Sequence, residues 1–316
     1  MLSFKKLKRR ALMNQLEKLK GVFPVLLTPF KDDESIDEKK LRDEINFELE
    51  NGVDGVVACG STGEFIAMTL EERKKVLEIV MDEVNGRVPV IAGTGHYNTK
   101  ICIEMSQHAQ ELGAAAVMTI NPYYYQPPTH WIMNHYRDLG KNLDIPVMVY
   151  NNPWFSGVEL SDWEVATLVE EGAVSAIKSA MADPARCHNL KRLCGDKLRV
   201  FYGHELNTLE ALLIGAEGWI TAVINVLPRL SKDLYIAAVE EKNVEKASKI
   251  WDRMLPLIHF CHLNVPACKD GRRYWLNTYK EAMEIIGHSV GIPRRPVGKL
   301  GEEDRATLER ILKNIL

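Results

Sequence analysis

A lysine, a tyrosine and a pair of hydroxyls are the residues of this chain best suited to chemistry. Lys178 ends the apolar run Ala173-Val174-Ser175-Ala176-Ile177, and Tyr150 ends an earlier run, Val147-Met148-Val149. An apolar strand has no packing use for an ammonium at its end, and desolvation there favours the neutral amine. A neutral amine adds to a carbonyl and forms a Schiff base. The competing reading is a lysine whose stem packs while its head reaches water. Its company argues for chemistry. Gly60-Ser61-Thr62-Gly63-Glu64 sets two hydroxyls between glycines and runs towards a helix, so it offers O–H and N–H donors to a carboxylate or phosphate. Donors for a carboxylate, a phenol for proton transfer and an imine-forming lysine together make a site for carbonyl chemistry on a 2-oxo acid.

These residues need elements that bring them to one place. After Lys20 the sequence alternates short β-branched or apolar runs with longer segments of helical period. The runs predict strands near 22–27, 53–59, 88–92, 115–120, 146–150, 173–178, 198–202 and 217–221. The periodic segments predict helices over 37–50, 69–84, 99–112, 129–142, 161–171 and 184–194. Asp37, Thr69, Thr129 and Ser161 are the expected N-caps, with Glu72 completing a capping box after Thr69. Strict alternation over eight strands is the pattern of an α/β protein, a (β/α)8 TIM barrel. The rival, a doubly wound open sheet, lacks its glycine-rich nucleotide turn after the first strand. The expected organisation is a basic helical extension over 1–20, the barrel over 21–230, and the last barrel helix with additional C-terminal helices over 231–316, punctuated by Pro256, Pro266 and Pro293.

In such barrels the chemistry sits at the C-terminal strand ends. Besides the residues above, those ends carry Gly93-Thr94-Gly95-His96, Asn121-Pro122-Tyr123-Tyr124-Tyr125, Tyr150-Asn151-Asn152-Pro153 and Tyr202-Gly203-His204-Glu205. His96, His204 and Glu205 are candidates for contacts to substrate hydroxyls, with packing as the alternative.

Composition closes off other classes. A net charge of −3 gives no electrostatic case for nucleic acid or an anionic membrane. No stretch approaches the roughly 20 apolar residues of a membrane span, and the basic start Met1–Arg10 has no apolar run of a secretory signal after it. The six cysteines (59, 102, 187, 194, 261, 268) show no CxxC pair and no zinc spacing, which suits reduced thiols in a cytoplasmic protein. Cys261, His262 and Cys268 read as a stray cluster and not as a metal site.

About residues 21–300 resemble the dihydrodipicolinate synthase / N-acetylneuraminate lyase family of class I aldolases and lyases. The matching stretches are Gly-Ser-Thr-Gly-Glu (60–64), Pro-Val-Ile-Ala-Gly-Thr-Gly (89–95), Pro-Tyr-Tyr (122–124), Tyr-Asn-x-Pro (150–153) and Ile-Lys (177–178). The resemblance implies that Lys178 forms the imine with pyruvate or a related 2-oxo acid, and that Tyr150 relays the proton. It implies that Ser61 and Thr62 hold the substrate carboxylate, that Tyr124 reaches into a neighbouring subunit's site and helps relay protons there, and that Gly203 and Ile220 line the pocket. It also implies a homotetramer (or dimer) and chemistry that needs no metal or organic cofactor.

Branches of the family differ around the second substrate. Dihydrodipicolinate synthases carry an arginine for its carboxylate where this chain has Phe155, and phenylalanine cannot replace a bidentate guanidinium. Trp154 and Phe155 predict an aromatic mouth for a less charged partner. Sialic-acid lyases have Gly-Tyr-Asp-Glu after the seventh strand, where this chain has Gly203-His204-Glu205-Leu206, so Glu205 keeps only part of that set. Tyr-Asn-Asn-Pro (150–153), Leu-Glu-Ala-Leu-Leu-Ile-Gly-Ala-Glu-Gly-Trp (209–219) and Leu-Pro-Arg (227–229) resemble hydroxypyrroline-carboxylate deaminases. A Schiff-base lyase or aldolase is the leading reading. A deaminase, a sugar-acid (2-keto-3-deoxy acid or sialic acid) aldolase or dehydratase, and an idle member serving as a binding or regulatory protein are its alternatives.

Overall fold

The computed structural model describes residues 12–262 and 274–316. The first half of the N-terminal extension, Pro266 and Cys268 lie outside the described residues.

Eight short strands alternate with helices: β1 (Gly21–Pro24), β2 (Val56–Ala58), β3 (Val90–Gly93), β4 (Ala116–Ile120), β5 (Val147–Asn151), β6 (Ala176–Ser179), β7 (Arg199–Tyr202) and β8 (Gly218–Thr221). The main helices are α1 (Glu38–Glu50), α2 (Leu70–Val84), α3 (Thr99–Glu111), α4 (Thr129–Asn142), α5 (Asp162–Glu170), α6 (Ala185–Cys194) and α7 (Thr208–Leu213), then α8 (Pro228–Tyr235), α9 (Val244–His262), α10 (Trp275–Ile285) and α11 (Glu302–Ile315). The strands bond in the order β1-β8-β7-β6-β5-β4-β3-β2, and Val25 and Leu26, just past β1, bridge to Val57 of β2. This is the expected (β/α)8 TIM barrel with additional C-terminal helices. The described residues fall into two compact units, one built on Gly86–Ile220 with the segment up to Gly21, the other on Val22–Asn85 and Thr221–Leu316.

In the first unit the strands are parallel and almost wholly buried, which is why they read as continuous apolar runs. The register sets Tyr150 opposite Lys178 and Lys178 opposite Phe201. In-register neighbours project to the same face of a sheet. Ser161 caps α5 in a capping box with Glu164. Thr129 does not cap α4: Pro128 holds that position, and the Thr129 hydroxyl is drawn to the Glu164 carboxylate. Of the N-terminal segment, residues 12–18 are helical. Leu16 and Leu19 are buried, and Arg199 Nε donates to the Leu16 carbonyl at 3.0 Å.

In the second unit Asp37 caps α1 and Thr69 caps α2 in a capping box with Glu72, each such cap stabilising by about 1 kcal/mol. The predicted strand at 53–59 shortens to β2 because Asp54 leaves the ladder. Its carboxylate accepts from Val22 N–H at 2.9 Å and pairs with Lys232 at 2.6 Å. Pro256 does not punctuate the C-terminal helices; it sits inside α9. An interior proline costs about 3 kcal/mol. Burial of Trp251, Met254, Leu257, Ile258 and Phe260 on that helix outweighs it.

Helix α1 also buries two carboxyls one turn apart, Glu44 and Glu48. Burial pushes Glu44 up to about 8, opposed by the Leu27 N–H at 2.8 Å and by Lys280. Burial and the charge of Glu44 raise Glu48 well above the carboxylate range. A carboxyl raised on folding binds its proton more tightly folded than unfolded. Its contribution is therefore full below the unfolded value of about 4.3 and is lost as pH rises through the folded value. Glu44→Gln keeps the acceptor for Leu27 and removes the titration. The variant should melt like the parent near pH 4 and several degrees above it at pH 9, roughly 2–4 °C for each kcal/mol. Melting curves at the two pH values check this; a difference that does not grow with pH contradicts it.

Candidate active site

In the first unit the C-terminal end of β6 presents Lys178, only 5% exposed, with its Nζ 4.1 Å from the centroid of the Tyr150 ring. Their adjacency follows from the β5–β6 register. Gly203, just past β7, makes the space for the lysine. A Cβ there would meet Lys178 Cγ at 2.7 Å and Cε at 2.8 Å. No other side chain leaves that stem in place.

The Tyr150 hydroxyl oxygen accepts a hydrogen bond from Asn152 Nδ2 at 2.9 Å, which leaves its own proton to be given elsewhere. Asn152 also caps the short helix Pro153–Ser156, and the Ser156 hydroxyl donates to its carbonyl at 2.9 Å. Asn151 Oδ1 accepts from Leu160 N–H at 3.0 Å and from Asn121 Nδ2 at 3.3 Å, while the Tyr136 hydroxyl lies 2.8 Å from Asn121 Oδ1. Burial pushes the Tyr136 phenol up, so it stays a neutral donor. These amides lock the chain beyond β5 around Tyr150. The sequence motifs contained Asn121, Asn151 and Asn152 without marking their role. Asparagine before proline at a strand end was the available signal, but it fits any turn.

The other residues expected in this unit are spread more widely. Trp154 is 88% exposed and Phe155 41%, on the short helix after β5. Tyr124, 83% exposed and at φ 77°, stacks edge-on with Tyr125, which meets Tyr97 in the same way. Ile220 is buried in β8, and Glu205 is buried beyond β7. The histidines fold onto their own turns: His96 Nδ1 accepts from Asn98 N–H at 2.9 Å and His204 Nδ1 from Leu206 N–H at 3.2 Å.

The second unit holds Ser61 and Thr62, in the turn after β2. Thr62 is buried and Ser61 partly so, and neither hydroxyl makes a hydrogen bond among the described residues. Behind them Glu64 adopts φ 58°, ψ 33°, a left-handed conformation that costs a side-chain-bearing residue on the order of 1–3 kcal/mol. Its carboxylate is buried, 2.6 Å from Lys280 Nζ, and accepts from Arg294 N–H at 2.9 Å. Burial pulls the Lys280 ammonium below its ordinary value, and Glu64 opposes that. Lys280 and Arg294 were not expected from sequence, because more than 200 residues separate them from the turn. Among the described residues no group of three or more His, Cys, Asp or Glu could hold a metal ion, and no helix is long and apolar enough to cross a membrane.

Known proteins with this architecture agree with the motifs. A family model described as the dihydrodipicolinate synthetase family matches residues 18–315. The chain belongs to that family. It is 35% identical over 299 residues to the 4-hydroxy-tetrahydrodipicolinate synthase of Pelobacter propionicus, covering 93% of this chain and 98% of that one. It is 36% identical over 300 residues to the enzyme of the same name from Methanocaldococcus jannaschii, covering 94% and 98%. A prophage protein of the dihydrodipicolinic acid synthase family from E. coli K12, solved in complex with pyruvate, superposes with a TM-score of 0.86 at 29% identity, covering 94% and 98%. Dihydrodipicolinate synthase from Aquifex aeolicus superposes with a TM-score of 0.85 at 30% identity, covering 93% and 97%. The chain is thus an enzyme, a lyase of the Schiff-base class I aldolase type.

For a member of this family Gly203→Ala is a sharp test of the space around Lys178. The backbone there tolerates alanine, since no left-handed φ is required, so the effect should fall on the lysine. Borohydride trapping of a 2-oxo acid at Lys178 should slow by roughly 10–100-fold in a protein that still melts cooperatively, as expected for a nucleophile displaced by about 1 Å. Unchanged trapping would show that the lysine has no need of that space.

Proposed function

We propose that Lys178 forms an imine with pyruvate or a closely related 2-oxo acid and carries it to an enamine that attacks a second substrate. The supporting observation is the buried Lys178 amine against the Tyr150 ring, beside a glycine that leaves room for it. The amine adds to the ketone carbon, a C–N bond forms, and the former carbonyl oxygen takes up protons and leaves as water. The protonated imine then draws electrons from the adjacent C–H bond as that proton is removed, giving the enamine. Tyr150, whose oxygen is held by Asn152, relays these protons. Ser61 and Thr62, with their backbone N–H groups, hold the carboxylate, an assignment that rests on the Gly60–Glu64 motif and on hydroxyls that make no hydrogen bond among the described residues.

The same reading places the enzyme in the cytoplasm as a homotetramer (or dimer), with Tyr124 serving a neighbouring subunit. The exposure of Tyr124 and the five buried thiol cysteines among the described residues support it. Gly203, Ile220 and Glu205 line the pocket in this scheme, and Phe155 faces the second substrate.

Mass spectrometry after pyruvate and borohydride should place a reduced adduct on Lys178. Lys178→Ala should lose the adduct and all turnover while keeping its fold, and full activity in that variant would sink the proposal. Phe155 sets the second test. An aldehyde bearing a carboxylate, such as aspartate semialdehyde, should be a poor partner, and Phe155→Arg should raise its kcat/KM by roughly 10-fold or more, the worth of a charge-assisted hydrogen bond. If the parent enzyme condenses that aldehyde as well as the arginine variant does, Phe155 does not select the partner.

A further inference from the structure

The turn assigned to the substrate carboxylate has a scaffold of its own, entirely within the second unit. The Thr28 hydroxyl donates to the Gly63 carbonyl at 2.6 Å. Glu64, the next residue, pairs with Lys280 at 2.6 Å. Lys280 Nζ in turn donates to the Thr28 carbonyl at 2.8 Å and to the Ile292 carbonyl at 3.2 Å. The path Thr28–Gly63–Glu64–Lys280 closes on itself, and every side chain in it is buried. Arg294 braces it from outside. Its N–H meets Glu64, and its guanidinium bonds to Glu72 at the start of α2 and to the carbonyls of Ala67 and Glu34. Gly63 is pressed against Leu26, whose carbonyl oxygen a Cβ would meet at 2.8 Å.

A buried ion pair adds little to stability compared with an apolar pair of the same shape, because desolving both charges offsets their attraction. What it supplies is direction. The Lys280 ammonium donates to two carbonyls on separate segments while its charge lies 2.6 Å from the Glu64 carboxylate, so the turn has one seat. Glu64 is also held in a left-handed conformation that free chain would leave.

We infer that Lys280 and Glu64, closed into a ring with Thr28 and Gly63, are positioning residues that fix Ser61 and Thr62 for the carboxylate of the 2-oxo acid. This inference rests on the proposed function. Without the ring the turn relaxes and its donors lose their common focus, so carboxylate binding weakens while imine chemistry at Lys178 is untouched.

The test is borohydride trapping at Lys178 with two ketones of similar size, pyruvate and hydroxyacetone, the second having no carboxylate. The Lys280→Met/Glu64→Gln double variant removes both charges together and keeps an acceptor for Arg294. Thr28→Val is a second, isosteric variant that leaves the ion pair intact. The pyruvate concentration for half-maximal trapping should rise about 10-fold in the double variant and about 3-fold in Thr28→Val, as expected for weakened hydrogen bonds to a charged group. Trapping at saturating pyruvate, and trapping of hydroxyacetone, should stay within about 2-fold of the parent, a pattern that mere fold support would not give. Should the double variant not fold, Thr28→Val decides alone. An unchanged half-saturation in folded protein, or an equal loss with both ketones, overturns the inference while the proposed function stands. Failure of the parent enzyme to trap pyruvate removes both.

Discussion

The parallel pairing of β5 with β6 is the constraint on which the site depends. It sets Tyr150 opposite Lys178, so that two side chains from separate strands share a face and touch. A slip of one residue in either strand would turn one of them away, because side chains alternate faces along a strand. A slip of β5 would also carry the Asn151 amide off its bonds to Leu160 and Asn121. Gly203 and Asn152 then act on an arrangement already made, the one by leaving room for the lysine and the other by holding the phenol oxygen.

Two buried lysines show how environment assigns chemistry. Lys280 lies against Glu64, donates to two carbonyls, and serves as a strut. Lys178 has an aromatic face beside it and no carboxylate partner among the described residues. A lysine not tied to a carboxylate is not committed as a strut, and its nitrogen can be used to add to a carbonyl. The difference lies wholly in the neighbours.

Much of the fold was legible in the chain because the signals were local. Strand and helix periods, the Thr69 and Ser161 capping boxes and the Gly60–Glu64 turn each involve residues a few positions apart. Where local logic misled, a partner from elsewhere had intervened. Thr129 lost its cap role to Glu164, Asp54 was drawn off its strand by Val22 and Lys232, and Pro256 was carried through a helix by the side chains that α9 buries.

The catalytic candidates divide in the same way. Lys178, Tyr150, Ser61 and Thr62 stood out in the sequence by residue type and by their positions at strand ends, since an ionisable or hydroxyl group there has no packing reason to exist. What the chain alone determined was therefore which groups are candidates for the chemistry and which architecture presents them. What only the tertiary structure decided was how those groups are held. The amide lattice of Asn121, Asn151 and Asn152, the space at Gly203 and the Lys280–Glu64 strut are each set by distances between residues remote in sequence. Periodicity reports the face a residue occupies, but a hydrogen bond or a void depends on which atoms meet across the core, and that is settled only when the segments pack.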